Sequence, residues 1–247
     1  MLSGYRFQPR WVPSLVTAAL LTAFVGLGLW QLDRAAQKRE IQERFEQQTR
    51  MPPVELDGGR LDPQAWDFRR VSVRGEYESG YQILLDNKIY RGQAGYHVLT
   101  PLRISGSQQR ILVNRGWVSW GADRRRLPEA PAASGEVVLS GRLRMPQTGY
   151  FTLEKQLPTA LGSVWQGLDL AHYAEVAGIP VLPVILELAP AAEDPAGLVR
   201  SWPEYRDSWI ARHHGYAFQW FSLAAALVVI YLAVNIRRPG AGDRRRV

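Results

Sequence analysis

The sequence predicts a membrane protein: two transmembrane α-helices flank a single β-rich (α+β) domain held outside the cytoplasm. Three observations predict it. Two uncharged apolar stretches of 22 residues, Trp11 to Leu32 and Gly215 to Ile236, lie towards the ends of the 247-residue chain. At about 1.5 Å per residue, roughly 20 apolar residues cross a hydrocarbon core of about 30 Å, so each is long enough to span a bilayer. The segment between them is punctuated by Gly, Asn, Asp and Pro and rich in β-branched and aromatic residues, the pattern of short strands joined by turns. Charge is concentrated in the tails, where seven Arg and one Asp supply +6 of the formal +7 and leave the rest of the chain at +1.

The first element is a tail over residues 1–10 carrying Arg6 and Arg10, followed by a transmembrane helix over 11–32. A second span over 213–236 leads into a tail over 237–247 with Arg237, Arg238, Arg244, Arg245 and Arg246. Lys and Arg beside a span are retained in the cytoplasm, so both tails are expected there and residues 33–212 outside. Arg34, Lys38 and Arg39 begin the outer segment, but long loops cross largely regardless of charge. The first apolar run exceeds the 7 to 15 residues of a signal h-region, and no small-x-small site follows it, so it is expected to remain as an anchor. The basic excess marks topology; it predicts contact with membrane lipid and no nucleic-acid partner.

Beyond the first span, residues 33–50 are rich in Glu, Gln, Lys and Arg, with Ile41 and Phe45 four apart, and predict a helical extension that Pro52 and Pro53 end. Strands are predicted at Arg70 to Tyr77, Tyr81 to Leu85, Tyr96 to Leu102, Arg110 to Val118 and Val137 to Leu143. Asp169 as N-cap and Gly178 as stop predict a short helix over Asp169 to Ala177. Val181 to Leu188 is expected as a strand that Pro183 confines to a sheet edge. Ala189 to Gly197 is expected as a loop. Trp202 and Trp209 in the return path have two readings, interfacial anchors or rim packing.

Catalytic signatures are missing. There is no Walker sequence, no Gly-x-Ser-x-Gly and no His-Glu-x-x-His, and the absence of Cys removes disulfides and thiolate chemistry. Gly26 and Gly28 lack the context of a dinucleotide fingerprint and are expected to be packing residues. Ala18, Thr22 and Gly26 form a small-residue ladder that suits close helix pairing, within one copy or between copies. His97 and His172, each without a second ligand at metal spacing, are expected to be surface or structural residues.

The informative residues gather where both spans reach the outer surface. Trp30, Gln31 and Arg34 close the first span; Arg212, His213, Tyr216, Gln219 and Trp220 open the second. On a helix His213, Ala217 and Trp220 share a face, with Tyr216 beside them and His214 about 100° round. One reading is an aromatic belt with no further role. The other is a haem site, with His213 as axial ligand of the iron, Tyr216, Trp220 and Trp30 against the macrocycle, and Arg34 and Arg212 paired with propionates.

Gly28-Leu-Trp-Gln-Leu-Asp-Arg34, Asn114-Arg-Gly-Trp-Val118 and His213-His-Gly-Tyr-Ala-Phe-Gln-Trp-Phe221 together resemble the three signature segments of the surfeit-locus-one family, the Shy-one type assembly factors of cytochrome c oxidase. The resemblance implies a non-enzymatic role in the inner (plasma) membrane of a bacterium, assisting delivery or retention of haem A as the oxidase catalytic subunit matures. It implies His213, three residues before Tyr216, as the haem ligand. It further implies that subunit and a haem A synthesis enzyme as partners. Arg212 and Gln219 depart from many relatives, which carry Asn near the His and Thr before the Trp. A haem-independent scaffold that binds oxidase subunits is the second reading. For Asn114, Arg115, Gly116 and Trp117 a structural role is expected: a turn bond from Asn114, a bulge or close approach at Gly116, and core volume from Trp117.

Overall fold

A computed structural model describes residues 6–121, 124–146, 161, 164–190, 196–202 and 207–237, without the side chains of residues 6, 207–209 and 237. Most of the two charged tails, including Arg238, Asp243, Arg244, Arg245 and Arg246, lies outside the described residues, as does the Trp209 side chain. In chain order the elements are β1 (Arg6–Phe7), α1 (Trp11–Arg50), β2 (Val54–Leu56), α2 (Pro63–Trp66), β3 (Arg70–Tyr77), a 3-10 turn (Ser79–Tyr81), β4 (Ile83–Tyr90), β5 (Gln93–Ile104), β6 (Arg110–Ser119), β7 (Glu136–Arg144), β8 (Val164–Trp165), α3 (Leu170–Ala177), β9 (Val181–Leu188), α4 (Asp207–Asn235) and β10 (Ile236–Arg237). They form two compact units, residues 1–43 with 205–247, and residues 44–204.

In the first unit, α1 and α4 pack as a hairpin. Two helices, Trp11–Arg50 and Ile210–Asn235, are long and apolar enough to cross a membrane, which fits a membrane protein. Their apolar side chains are largely exposed, Trp11, Leu15, Phe218 and Val229 among them, as a lipid-facing surface requires. Between Trp11 and Ala35 the covered positions of α1 run Ser14, Thr17, Leu21, Phe24, Gly28, Gln31 and Ala35. Those of α4 include His213, Ala217, Trp220, Ala224, Leu227 and Tyr231, with Ile210, Phe221 and Asn235 covered beside them. Alternating steps of three and four average 3.5 residues, the repeat that keeps one seam facing a partner helix.

At Gly28 the seam is tight, since a Cβ built there would come within 2.6 Å of Phe221 Cε1. The ladder of Ala18, Thr22 and Gly26 is out of phase with this repeat. All three are exposed, nothing lies within 4 Å of a Cβ at Gly26, and Thr22 Oγ1 donates to its own helix at Ala18 O. Close approach therefore occurs at Gly28, and the predicted ladder does not serve this hairpin.

The far end of the hairpin is clasped. Ser14 Oγ and Tyr231 Oη share a hydrogen bond of 2.6 Å, Phe7 meets the Tyr231 ring edge-on at 6.1 Å, and β1 pairs antiparallel with β10. Gln8 N donates to Asn235 O, and Asn235 Nδ2 to Tyr231 O.

In the second unit the sheet order is β2-β3-β7-β9-β6-β5-β4-β8, and a further β3–β5 pairing closes β3, β7, β9, β6 and β5 into a ring. Inside it Val73, Leu102, Ile111, Val113, Leu143, Val184 and Leu186 form the main core. A second cluster builds on Ile83, Leu85, Leu99, Leu112 and Trp165 with Tyr173 of α3. The Asp169 carboxylate caps α3 by accepting from Ala171 N and His172 N, and Gly178, in the left-handed conformation, ends it, as its sequence predicts.

The predicted strands appear, most of them longer than their apolar runs because ladder bonds continue through polar flanks; the one predicted at Tyr81 to Leu85 begins at Ile83, since Tyr81 closes the 3-10 turn, and runs on to Tyr90. One placement differs: Val181–Leu188 is not at an edge but lies between β7 and β6. Pro183 is tolerated there because β7 pairs only with Ile185 to Leu188, and the β6 register shifts between Arg110 and Leu112, opposite the proline. The short β2, α2 and β8 carry too little periodicity to be predicted.

Candidate functional site

At one mouth of the hairpin a polar contact crosses from helix to helix in the seam: His213 Nδ1 lies 2.7 Å from Gln31 Oε1. His213 is half-buried, one turn from Ala217, which is 2 % exposed. The first helix takes up the gap that Ala217 leaves, so the shared face of His213, Ala217 and Trp220 turns towards α1. The Trp220 ring packs on Phe24, with centroids 5.8 Å apart. His214, on another face, accepts a long contact of 3.4 Å from Arg39 Nη2.

The other candidate residues surround this contact without converging on it. Tyr216 and Trp30 are 46 % and 49 % exposed, so both present ring surface to the surroundings. Arg34 is exposed; its guanidinium lies 5.7 Å from the Trp30 ring centre, and Nη1 donates to Gln37 Oε1. Arg212 is exposed. The donor set fits a haem ligand at one position: one nitrogen of His213 is held by Gln31, and the other has no hydrogen-bond partner among the described residues. Among the described residues no group of three or more His, Asp or Glu is placed to hold a metal ion by itself. Gln31 was not singled out as a site residue from sequence. Its signal is a polar amide inside an apolar run, at a seam position of the 3.5-residue repeat.

The second motif lies in the β-rich unit, on β6. Val98 pairs with Gly116 and Leu99 with Asn114, which leaves Arg115 as the extra residue of a bulge. Gly116 has φ of 144°, and a Cβ there would meet Leu198 Cβ and Val199 O at 3.0 Å. Its neighbour Trp117 exchanges both backbone bonds with Val199 at 2.8 Å, buries its ring and donates Nε1–H to Lys88 O. Arg115 is 5 % exposed; Nη1 donates to Ala130 O and Nη2 to Pro131 O, and the guanidinium lies 5.5 Å from the Tyr77 ring centre.

Asn114 makes no turn bond. It sits mid-strand with Nδ2 3.0 Å from His97 Nδ1, and its Oδ1 is buried without a hydrogen-bond partner. Burial, and then the charge of nearby Lys88, push His97 down to about 4, so the imidazole is neutral near pH 7. Its ring stands edge-on to Trp202 at 5.6 Å, and Trp202 donates Nε1–H to Leu188 O. Trp202 is thus rim packing of this unit. His172 lies on α3 with its ring 5.7 Å from that of Trp165.

Comparison with known proteins gives a family-level match. The model of the SURF1 family matches residues 18–225. The Surfeit locus protein 1 of Mus musculus is 24 % identical over 243 residues, covering 93 % of this chain and 76 % of that protein. A SURF1-like protein of Monosiga brevicollis is 25 % identical over 232 residues, 89 % of this chain and 85 % of that one. The Surfeit locus protein 1 of Homo sapiens is 24 % identical over 243 residues, with 92 % and 78 % covered.

Proposed function

The chain belongs to the SURF1 family, known in general for cytochrome oxidase assembly factors, and we propose that it assists haem A delivery or retention while the oxidase catalytic subunit matures. The observation that carries this reading is the half-buried His213 at the mouth of the hairpin, within the family match, with one ring nitrogen engaged and the other without a hydrogen-bond partner among the described residues. When bound, haem would offer an iron for His213 to ligate and a flat apolar face for aromatic side chains to cover. Tyr216, Trp220 and Trp30 supply the rings, and the guanidinium groups of Arg34 and Arg212 suit propionates.

The role is binding and release, not catalysis. The basic tails support a topology with both termini on the cytoplasmic side of a bacterial inner membrane and the β-rich unit in the periplasm. The partners are the oxidase catalytic subunit and a haem A synthesis enzyme, met from that side. A haem-independent scaffold is the competing reading, favoured by the buried bonding of Arg115 and Trp117, which makes the β-rich unit a rigid surface. The test is the reduced-minus-oxidised spectrum of the protein purified from cells that make haem A, beside His213→Ala. A haem A signal lost on substitution supports the haem reading. No signal in either, with a known haem protein retained through the same purification, supports the scaffold.

A further inference from the structure

We propose that Gln31 is the positioning residue for His213: its carboxamide oxygen holds the imidazole as the Nδ1–H tautomer and thereby presents the Nε2 lone pair as the ligating atom. This rests on the reading of His213 as the haem ligand. The contact joins His213 Nδ1 to Gln31 Oε1 at 2.7 Å. A carboxamide oxygen only accepts, so Nδ1 donates; a neutral imidazole has a single N–H, so Nε2 is left with its lone pair. Ligating histidines characteristically give their second nitrogen to such a partner, which fixes ring orientation and raises ligand basicity.

The surroundings hold Gln31 in place. Gly28 and Ala35, the covered positions on either side of it in the seam, are both small and buried, and the Phe221 ring lies against Gly28, fixing the local approach of the two helices. Three residues along α1 from that contact, Gln31 is half-buried beside His213. The bond is not needed merely to hold the hairpin together, because Ser14 and Tyr231 clasp its other end and Phe24 packs on Trp220 along its length. A structural staple makes no use of Nε2. Ligation needs its lone pair free.

The test uses the full chain, haem-free, in lipid nanodiscs with 15N-labelled histidine. With four His in the sequence the ring signals are separable, and His213→Gln assigns the relevant one. Above about pH 8, where imidazoles are neutral, His213 is expected with its proton on Nδ1. Gln31→Leu should move the proton largely to Nε2, and Gln31→Glu, whose carboxylate also accepts, should keep it on Nδ1. Protohaem titrated into the same samples should bind about 10- to 100-fold more weakly to Gln31→Leu and near the wild-type level to Gln31→Glu.

An Nε2–H tautomer in the wild type, or protohaem affinity unchanged by Gln31→Leu, overturns the proposal. If the tautomer responds as expected but the wild type binds no protohaem, the positioning contact stands and the haem reading fails.

Discussion

Gly28 lies directly against the ring of Phe221, so close that the Cβ of an alanine would need the ring to move. One missing side chain on α1 therefore determines how near α4 can come, and the reach of Gln31 to His213 depends on that spacing. Van der Waals fit of this kind is the main source of helix affinity in lipid, where no hydrophobic force draws apolar helices together.

Gly28→Leu is expected to weaken the hairpin by about 1–3 kcal/mol through overpacking, and Phe221→Ala in the same chain to restore part of the loss. Cysteine pairs placed across the seam of this Cys-free protein report it: cross-linking yield should fall in Gly28→Leu and recover in the double variant. Equal yields in all three would show that the contact does not set the spacing.

Gly116→Val should destabilise the β-rich unit by about 2–4 kcal/mol. A branched side chain at φ of 144° is strained, and its Cβ meets Val199 O and Leu198. Thermal melting of the full chain measures it. An unchanged melting profile with lost oxidase assembly would instead make this strand a contact surface.

Arg115→Ala should cost about 1–3 kcal/mol, because Ala130 O loses its donor in a buried setting and Pro131 O loses a partly buried one. Arg115→Lys should recover little of it, since one ammonium cannot match a planar fork that serves both carbonyls. Denaturant unfolding of the two variants against wild type checks both statements.

His97 gives the β-rich unit an acid-sensitive stability. Its folded value of about 4 lies below the ordinary 6.5, so the folded state prefers the neutral ring. That preference contributes fully above about pH 6.5, falls as the unfolded chain takes up the proton below it, and is lost by about pH 4. The whole effect is about 3 kcal/mol. His97→Gln should flatten the stability profile over that window; an unaltered slope would show that other groups set it.

Much of the fold was legible in the sequence because its signals are local. The 22-residue apolar runs, the Asp169 cap with the Gly178 stop, and the alternation in Arg70 to Tyr77 each depend on a few neighbouring residues. The ring closure of β3 on β5 and the inner position of β9 were not, since both follow from pairings between residues far apart in the chain. Pro183 misled for the same reason: a proline excludes a ladder bond at its own position, and the register shift that removes the need for that bond belongs to another strand. At the hairpin mouth the sequence singled out His213 by type and spacing. It placed Gln31 at the same mouth but could not give it a role, which comes from facing His213 across the seam, nor tell that Ala18, Thr22 and Gly26 miss that seam by part of a turn.

The most direct test of the account is the haem A content of the oxidase catalytic subunit purified from cells lacking this chain and complemented with wild type or His213→Ala. The account predicts full loading with wild type and a clear deficit with His213→Ala despite equal amounts of the protein in the membrane. Full loading with His213→Ala would contradict it.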